Sequence, residues 1–348
     1  MTTRSLATGG LGFIGKELCR QLVERGEDVR ILDTDQKSNG LPEEVEVIRG
    51  SILNRAQLKM ALKGVNHLYH LAAIPDLWLK NKKDFHFINT TGTRLVLETA
   101  ANAGVERIVY TSTESITRGV KRRHGEKVID ESTPMSLKDM PGPYCRSKFL
   151  AELEAISAAE RGVPVVIVNP TLPVGPGDSR LTPPTRMLLG FLNGEYPAYL
   201  ESHINMIHVS DVAAGHILAA DKGRIGERYI LGNENLDLSN LLSILEELTG
   251  LAMPKRRVPF WLALGASMVD EFIADHFTHK APNAPLTGVR LAAQPMIFDV
   301  SKARNELNLP MTPIRDSLAE AIRWFSEQGL LLRAPLKPRW KTSTAKCN

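Results

Sequence analysis

The chain has 348 residues, 43% of them hydrophobic and 24% charged, with a formal net charge of +4. This size and balance describe an ordinary globular protein of one large or two unequal domains, and exclude a disordered or fibrous chain. Arg333, Lys337, Arg339, Lys341 and Lys346 fall in a final stretch without acids, so the body before it is near neutral. A nucleic-acid face, which concentrates basic residues, is therefore not expected, and Lys121-Arg122-Arg123 reads as a solvated loop.

The chain opens with an apolar run, Leu6-Ala7, entering Thr8-Gly9-Gly10-Leu11-Gly12-Phe13-Ile14-Gly15 and leaving with Leu18, Leu22 and Val23 on one helical face. Strand, glycine turn and helix follow in that order. Gly10, Gly12 and Gly15 fit the dinucleotide fingerprint, in which absent side chains permit a tight turn, close approach to a pyrophosphate and helix-on-strand packing. A second strand at 29–32 ends in Asp33, at the separation of an acid that bonds the adenosine ribose and repels a 2′-phosphate. NAD is thus the favoured cofactor, with NADP left open.

Further strands are expected at 45–48, 67–73, 108–112 and 165–168, with helical patterns at 56–62, 93–103 and 149–159 between them. Near-continuous apolar strands alternating with helices imply a parallel sheet covered on both faces. The fold class is therefore α/β, a Rossmann-type doubly wound parallel sheet with a smaller C-terminal α/β substrate domain. Residues 1–170 form the nucleotide-binding domain, with returning segments near 204–232. Residues 171–331 form mainly the substrate domain, opened by a segment rich in proline and glycine (Pro173, Gly175, Pro176, Gly177, Pro183, Pro184). Within it a strand at 206–209 and a strand at 229–231 rejoin the first sheet, a helix at 211–220 is capped by Asp211, and helical spacing recurs at 238–248, 261–277 and 315–328. The basic stretch 332–348 has no apolar period and is expected to be poorly ordered.

Chemistry concentrates in Pro141-Gly142-Pro143-Tyr144-Cys145-Arg146-Ser147-Lys148. Pro143 suits the first position of a helix, which sets Tyr144 and Lys148 one turn apart on one face. A neighbouring ammonium lowers a phenol's pKa, so Tyr144 is expected to take a proton from an alcohol as hydride leaves the same carbon. Tyr110-Thr111-Ser112-Thr113 stands at the C-terminal end of a strand, where open α/β sheets bind ligands. Thr113 is the first choice to bond the reacting oxygen, Ser112 the second; β-propensity and a turn cap are the plainer alternative.

The glycine loop, Asp33, His70-Leu71-Ala72-Ala73, Asn89 with Gly92-Thr93, Thr113, Tyr144 with Lys148, and Asn169-Pro170 resemble the extended short-chain dehydrogenase/reductase family over residues 5 to about 330. Ser147-Lys148-Phe149-Leu150-Ala151-Glu152, Gly175-Pro176-Gly177-Asp178 and Ile207-His208-Val209-Ser210-Asp211-Val212 look most like its hopanoid-associated sugar epimerase and dihydroflavonol-reductase-like branch. The resemblance implies that Thr113, Tyr144 and Lys148 are catalytic and that Lys148 also holds the nicotinamide ribose. It implies a cofactor set of Gly9, Gly12, Phe13, Ile14, Gly15, Asp33, Leu71, Ala72, Ala73, Ser112, Tyr144, Lys148 and Pro170, and substrate contacts at Thr113 and Asn169. Gly50-Ser51 departs from the family's Gly-Asp, which puts an adenine contact in doubt. Glu114 follows Thr113 where dehydratases carry an acid, but its neighbours do not match theirs.

The reading is an NAD(P)-dependent oxidoreductase interconverting a secondary alcohol and a ketone on a small molecule. An epimerase with retained NAD is the alternative, and a non-catalytic nucleotide sensor is the alternative of another class. Cys19, Cys145 and Cys347 are widely spaced and suggest no disulfide or metal framework; His276 and His279 read as surface histidines. Without a leader or a bilayer-length apolar run, the expected location is cytoplasmic. Trp261, Leu264, Met268 and Phe272 form an apolar stripe expected to pack in the core, with a substrate pocket or peripheral membrane contact less favoured. A homodimer is the assembly left open.

Overall fold

A computed structural model describes residues 2–35, 40–117, 128–294 and 297–336. Lys121-Arg122-Arg123, Cys347 and residues 337–348 of the basic tail lie outside them. The strands in chain order are β1 (Arg4–Thr8), β2 (Asp28–Asp33), β3 (Glu46–Arg49), β4 (His67–His70), β5 (Arg107–Thr111), β6 (Val128–Ile129) and β7 (Val165–Pro170). After these come β8 (Leu172–Val174), β9 (His203–His208), β10 (Arg228–Leu231), β11 (Glu234–Asp237) and β12 (Ile297–Phe298).

Seven strands form one sheet in the order β10-β7-β5-β4-β1-β2-β3, with every pair parallel. Neighbouring residues of a strand feed opposite cores, as the two-residue period of a strand demands. Leu6, Ile108 and Ile167 join Leu58, Leu97 and Ala155 beneath the helices Arg55–Ala61, Gly92–Asn102 and Pro143–Glu160. Ala7, Val109, Val166 and Val168 join Leu18, Leu22, Val212 and Ile217 beneath Phe13–Glu24 and Val209–Lys222. Burial on both faces explains why these strands read as apolar runs rather than alternations. The strand order reverses between β1 and β4, which opens a crevice beyond their C-terminal ends.

The second half departs from expectation in three places. β10 rejoins the large sheet, but β9 does not: it lies between β8 and β11 in a separate three-stranded sheet. That sheet packs with the helices Pro183–Leu192, Leu238–Thr249 and Ile314–Glu327 around Leu188, Met206, Leu241, Leu245, Leu318 and Phe325. The helix expected at 211–220 starts at Val209 and is capped by the His208 ring, which accepts from the Ser210 N–H. Asp211 instead accepts from the Thr312 N–H and hydroxyl, at 2.7 and 2.9 Å, tying the returning helix to the small domain. At the start of the tail, the Leu332 N–H donates to Asn193 and the Leu336 N–H to the Thr249 carbonyl, so residues 332–336 follow the small domain's surface.

Candidate active site

The first turn after β1 is a cradle made by missing side chains. Gly9, not Gly10, has the left-handed backbone, with φ of +72°, and a Cβ there would stand 2.7 Å from the Ala72 backbone. Gly10 faces Ile31, and a Cβ on Gly15 would meet the Gly9 carbonyl at 2.6 Å. The loop therefore closes onto β4 and onto its own helix. That helix begins at Phe13 with no side-chain cap on Gly12, which leaves its first N–H groups, at Phe13 and Ile14, pointing out as an anion site. These features fit a dinucleotide's pyrophosphate.

The remaining cofactor candidates line one edge of the sheet. Asp33 ends β2, Leu71, Ala72 and Ala73 follow β4, Ser112 and Thr113 follow β5, and Asn169-Pro170 ends β7. Because β2, β1, β4, β5 and β7 are consecutive neighbours, these positions form a continuous row. Leu71 N–H bonds to the Thr8 carbonyl at 3.0 Å and Ser112 N–H to the Val168 carbonyl at 2.7 Å, which locks the row together. Asp33 is buried; its carboxylate accepts from Leu11 N–H and Asp35 N–H, each at 3.1 Å. Arg180, from the small domain, lies 3.5 Å from the same carboxylate.

Pro143 opens its helix at the first position, so Tyr144 and Lys148 share a face as the spacing predicts. Both are buried, and the Thr113 side chain acts on the Tyr144 phenol. Thr113 accepts from Ser115 N–H at 3.2 Å and so caps the turn Glu114–Ile116. Lys148 differs from expectation. Its ammonium donates to the Thr111 carbonyl at 2.8 Å and sits 4.9 Å over the Tyr110 ring. Burial pushes Lys148 down to about 8, against which the Glu152 charge holds it up. Burial also pushes Tyr144 well above the ordinary phenol value, with the Thr113 side chain working against that rise. The lowered phenol expected from Lys148 is thus not realised here: desolvation is the largest influence, and the charges of Cys145, Glu114 and Asp76 add to the rise.

Three residues that the sequence offered only as motif positions, without a role, shape the site. Glu152, one turn beyond Lys148, is buried; it accepts from the Asn169 amide at 2.8 Å and forms an ion pair with the Arg228 guanidinium at 3.1 Å. The same Asn169 amide donates to the Thr113 carbonyl at 3.2 Å, so its nitrogen positions the site. Its Oδ1 is buried without a partner among the described residues. His70 bridges Thr8 at 2.7 Å and Thr93 at 3.0 Å, and burial with the nearby Lys148 charge pushes it down to about 3. Asn89 clasps both polar groups of the Ile74 backbone and the Ser147 hydroxyl. The four-residue spacing of Tyr144, Lys148 and Glu152 was the readable signal; Arg228 and Arg180 had none.

The stripe Trp261, Leu264, Met268 and Phe272 is not core. It lies on the helix Phe260–Ile273, with Trp261 71% and Phe272 56% exposed.

The model of the NAD dependent epimerase/dehydratase family matches residues 5–232. The chain belongs to this family. A Synechocystis sp. protein provisionally named dihydroflavonol 4-reductase is 41% identical over 330 residues, covering 92% of this chain and 94% of its own. Sterol demethylase protein B of Methylococcus capsulatus is 34% identical over 336 residues, covering 95% of this chain and all of its own (100%). The crystal structure of gox2253 superposes with a TM-score of 0.82 at 35% identity, covering 95% of this chain and 100% of that one. The family member described here is an enzyme of the extended short-chain dehydrogenase/reductase type, as its relatives are. NAD is bound in structural neighbours of the same fold. One is UDP-glucuronic acid 4-epimerase from Bacillus cereus, with a TM-score of 0.73 at 22% identity over 94% of this chain and 100% of that one.

Proposed function

We propose that this family member interconverts a secondary alcohol and a ketone on an apolar small molecule, using NAD(H) ahead of NADP(H). The observation that carries the reading is the placement of the buried Tyr144 and Lys148 on one face of a helix beside Thr113, at the strand ends next to the glycine cradle. The nicotinamide, when bound, accepts or supplies the hydride. Tyr144 takes the alcohol proton or returns it to the ketone oxygen, a role worth about 10²–10⁴-fold in rate. Thr113 directs a hydroxyl at the same oxygen. Lys148 is charged below about pH 8 and favours the phenolate as it forms. Gly9, Gly12, Phe13, Ile14 and Gly15 would hold the pyrophosphate, and Asp33 the adenosine ribose, where its charge disfavours a 2′-phosphate.

The apolar substrate follows from the surroundings of the phenol. Tyr144 packs with Phe85, Ile116, Met140, Phe149 and Leu291, a lining that suits a hydrophobic alcohol better than a sugar. Tyr144 and Lys148 also set this chain apart from a purely nucleotide-sensing protein. The test is a panel of secondary alcohols and ketones, ranging from apolar to sugar-like, followed by nicotinamide absorbance. Turnover of apolar members with exchangeable cofactor supports the proposal. Purified protein that retains NAD and inverts a sugar carbon without net absorbance change would establish the epimerase instead.

A further inference from the structure

We propose that the outer face of the helix spanning residues 260–278 docks on an anionic membrane surface. This goes beyond the reaction and does not depend on it. The segment runs as an α-helix from Phe260 to Ile273 and continues as a wider turn over Ala274–Thr278. Its polarity is inverted relative to an ordinary surface helix, which turns its charges outward. Trp261 and Phe277 are each 71% exposed, and Leu262, Met268, Val269 and Phe272 lie at 49–60%. Gly265 and Ala266 leave a groove of about 510 Å³ between Trp261 and Val269.

The segment's three acids are all held by the protein body. Asp270 accepts from the Asn283 and Ala284 N–H groups. Glu271 accepts from Leu286 N–H and pairs with Lys82. Asp275 accepts from the Trp78 indole at 2.7 Å and from Lys82 at 3.0 Å. Positive charge brackets the apolar face. Lys255, Arg256 and Arg257 precede it and Lys280 follows it, all exposed. Lys255 and Arg257 also reach Glu246 and Glu201, whereas Arg256 and Lys280 make no salt bridge among the described residues.

An apolar strip with tryptophan and phenylalanine at its ends and basic residues beyond them matches the boundary between acyl chains and anionic headgroups. A second copy of the chain is the weaker occupant, because pairing these faces about a two-fold axis sets the basic ends against each other. The helix that carries this face packs on the helix Leu286–Ala292. The neighbouring helix Leu286–Ala292 presses Thr287 against Gly142, two residues before Tyr144.

The full chain should sediment with vesicles of equal parts phosphatidylcholine and phosphatidylglycerol, should release as salt rises, and should bind pure phosphatidylcholine much less. Brominated acyl chains should quench tryptophan fluorescence in the bound protein. The double variant Trp261→Ser/Phe277→Ser, at exposed positions, should keep the parent's melting curve and lose about 100-fold in vesicle partition, roughly tenfold per buried aromatic. Failure to bind, or binding without quenching, overturns the proposal. So does a double variant that binds as the parent does, or a vesicle-free dimer that the same substitutions dissociate.

Discussion

Removing Glu152 should be among the most damaging single changes that leave every candidate catalytic side chain in place. Its carboxylate is 1% exposed and joins Arg228, 23% exposed, at 3.1 Å and the Asn169 amide at 2.8 Å. Truncating one partner of a buried pair costs about 3–5 kcal/mol, because the other charge is left without compensation. Arg228 retains some access to water, so the expected loss for Glu152→Ala is the lower end, about 3 kcal/mol. Glu152→Gln keeps the volume and an acceptor for Asn169 and should lose less, about 1.5–2 kcal/mol, the lower part of the range for a bond to a charged group. With a urea slope of about 3 kcal/mol per molar, the upper end for small proteins and a floor for a chain of this size, the alanine variant should unfold up to about 1 M earlier. A second readout separates positioning from stability. The Glu152 charge holds Lys148 up against burial, so Glu152→Gln should move the alkaline limb of the rate profile below about pH 8. Urea curves within about 0.5 kcal/mol of the parent for Glu152→Ala would refute the account of the pair. An unmoved pH limb in the glutamine variant would refute its link to Lys148.

Tyr144→Phe should cut turnover at least about 10²-fold while leaving NAD(H) affinity nearly unchanged; Lys148→Ala should damage both, with Thr113→Ala between the two in rate. Near-parent rates in Tyr144→Phe would move the proton-transfer role elsewhere, with Ser112 and Glu114 first in line. Asp33→Ser should shift the NAD-to-NADP affinity ratio toward NADP by about tenfold, or 1.4 kcal/mol, measured by titration with both nucleotides; an unchanged ratio removes Asp33 from cofactor choice. His70, held near 3 in the folded chain and near 6.5 when unfolded, keeps its full stability above pH 6.5 and loses it as pH falls toward 3. Between pH 7 and pH 5 this amounts to about 2 kcal/mol, and His70→Gln should flatten that part of the urea-measured pH dependence; an equally steep curve would show that the histidine is not its source.

The nucleotide-binding half was legible because its signals are local. A strand buried on both faces must be apolar along its length, a glycine turn must lack side chains where the backbone doubles back, and Tyr144 and Lys148 sit one helical turn apart wherever that helix lies. Each property is written within a few consecutive residues. The Gly9 φ of +72° was settled instead by the approach of Ala72, which β4 delivers from more than sixty residues away. Similarly, β9 has the strand composition expected of it but pairs with β8 and β11, since composition specifies burial and not the partner. The stripe at Trp261, Met268 and Phe272 has the period of a core helix. What turned it outward was the demand of Trp78, Lys82 and the 283–286 backbone for its three acids. The charge states of Tyr144, Lys148 and His70 were likewise beyond the sequence. The direction of each shift depends on how much water the rest of the fold excludes, and only the packed molecule decides that.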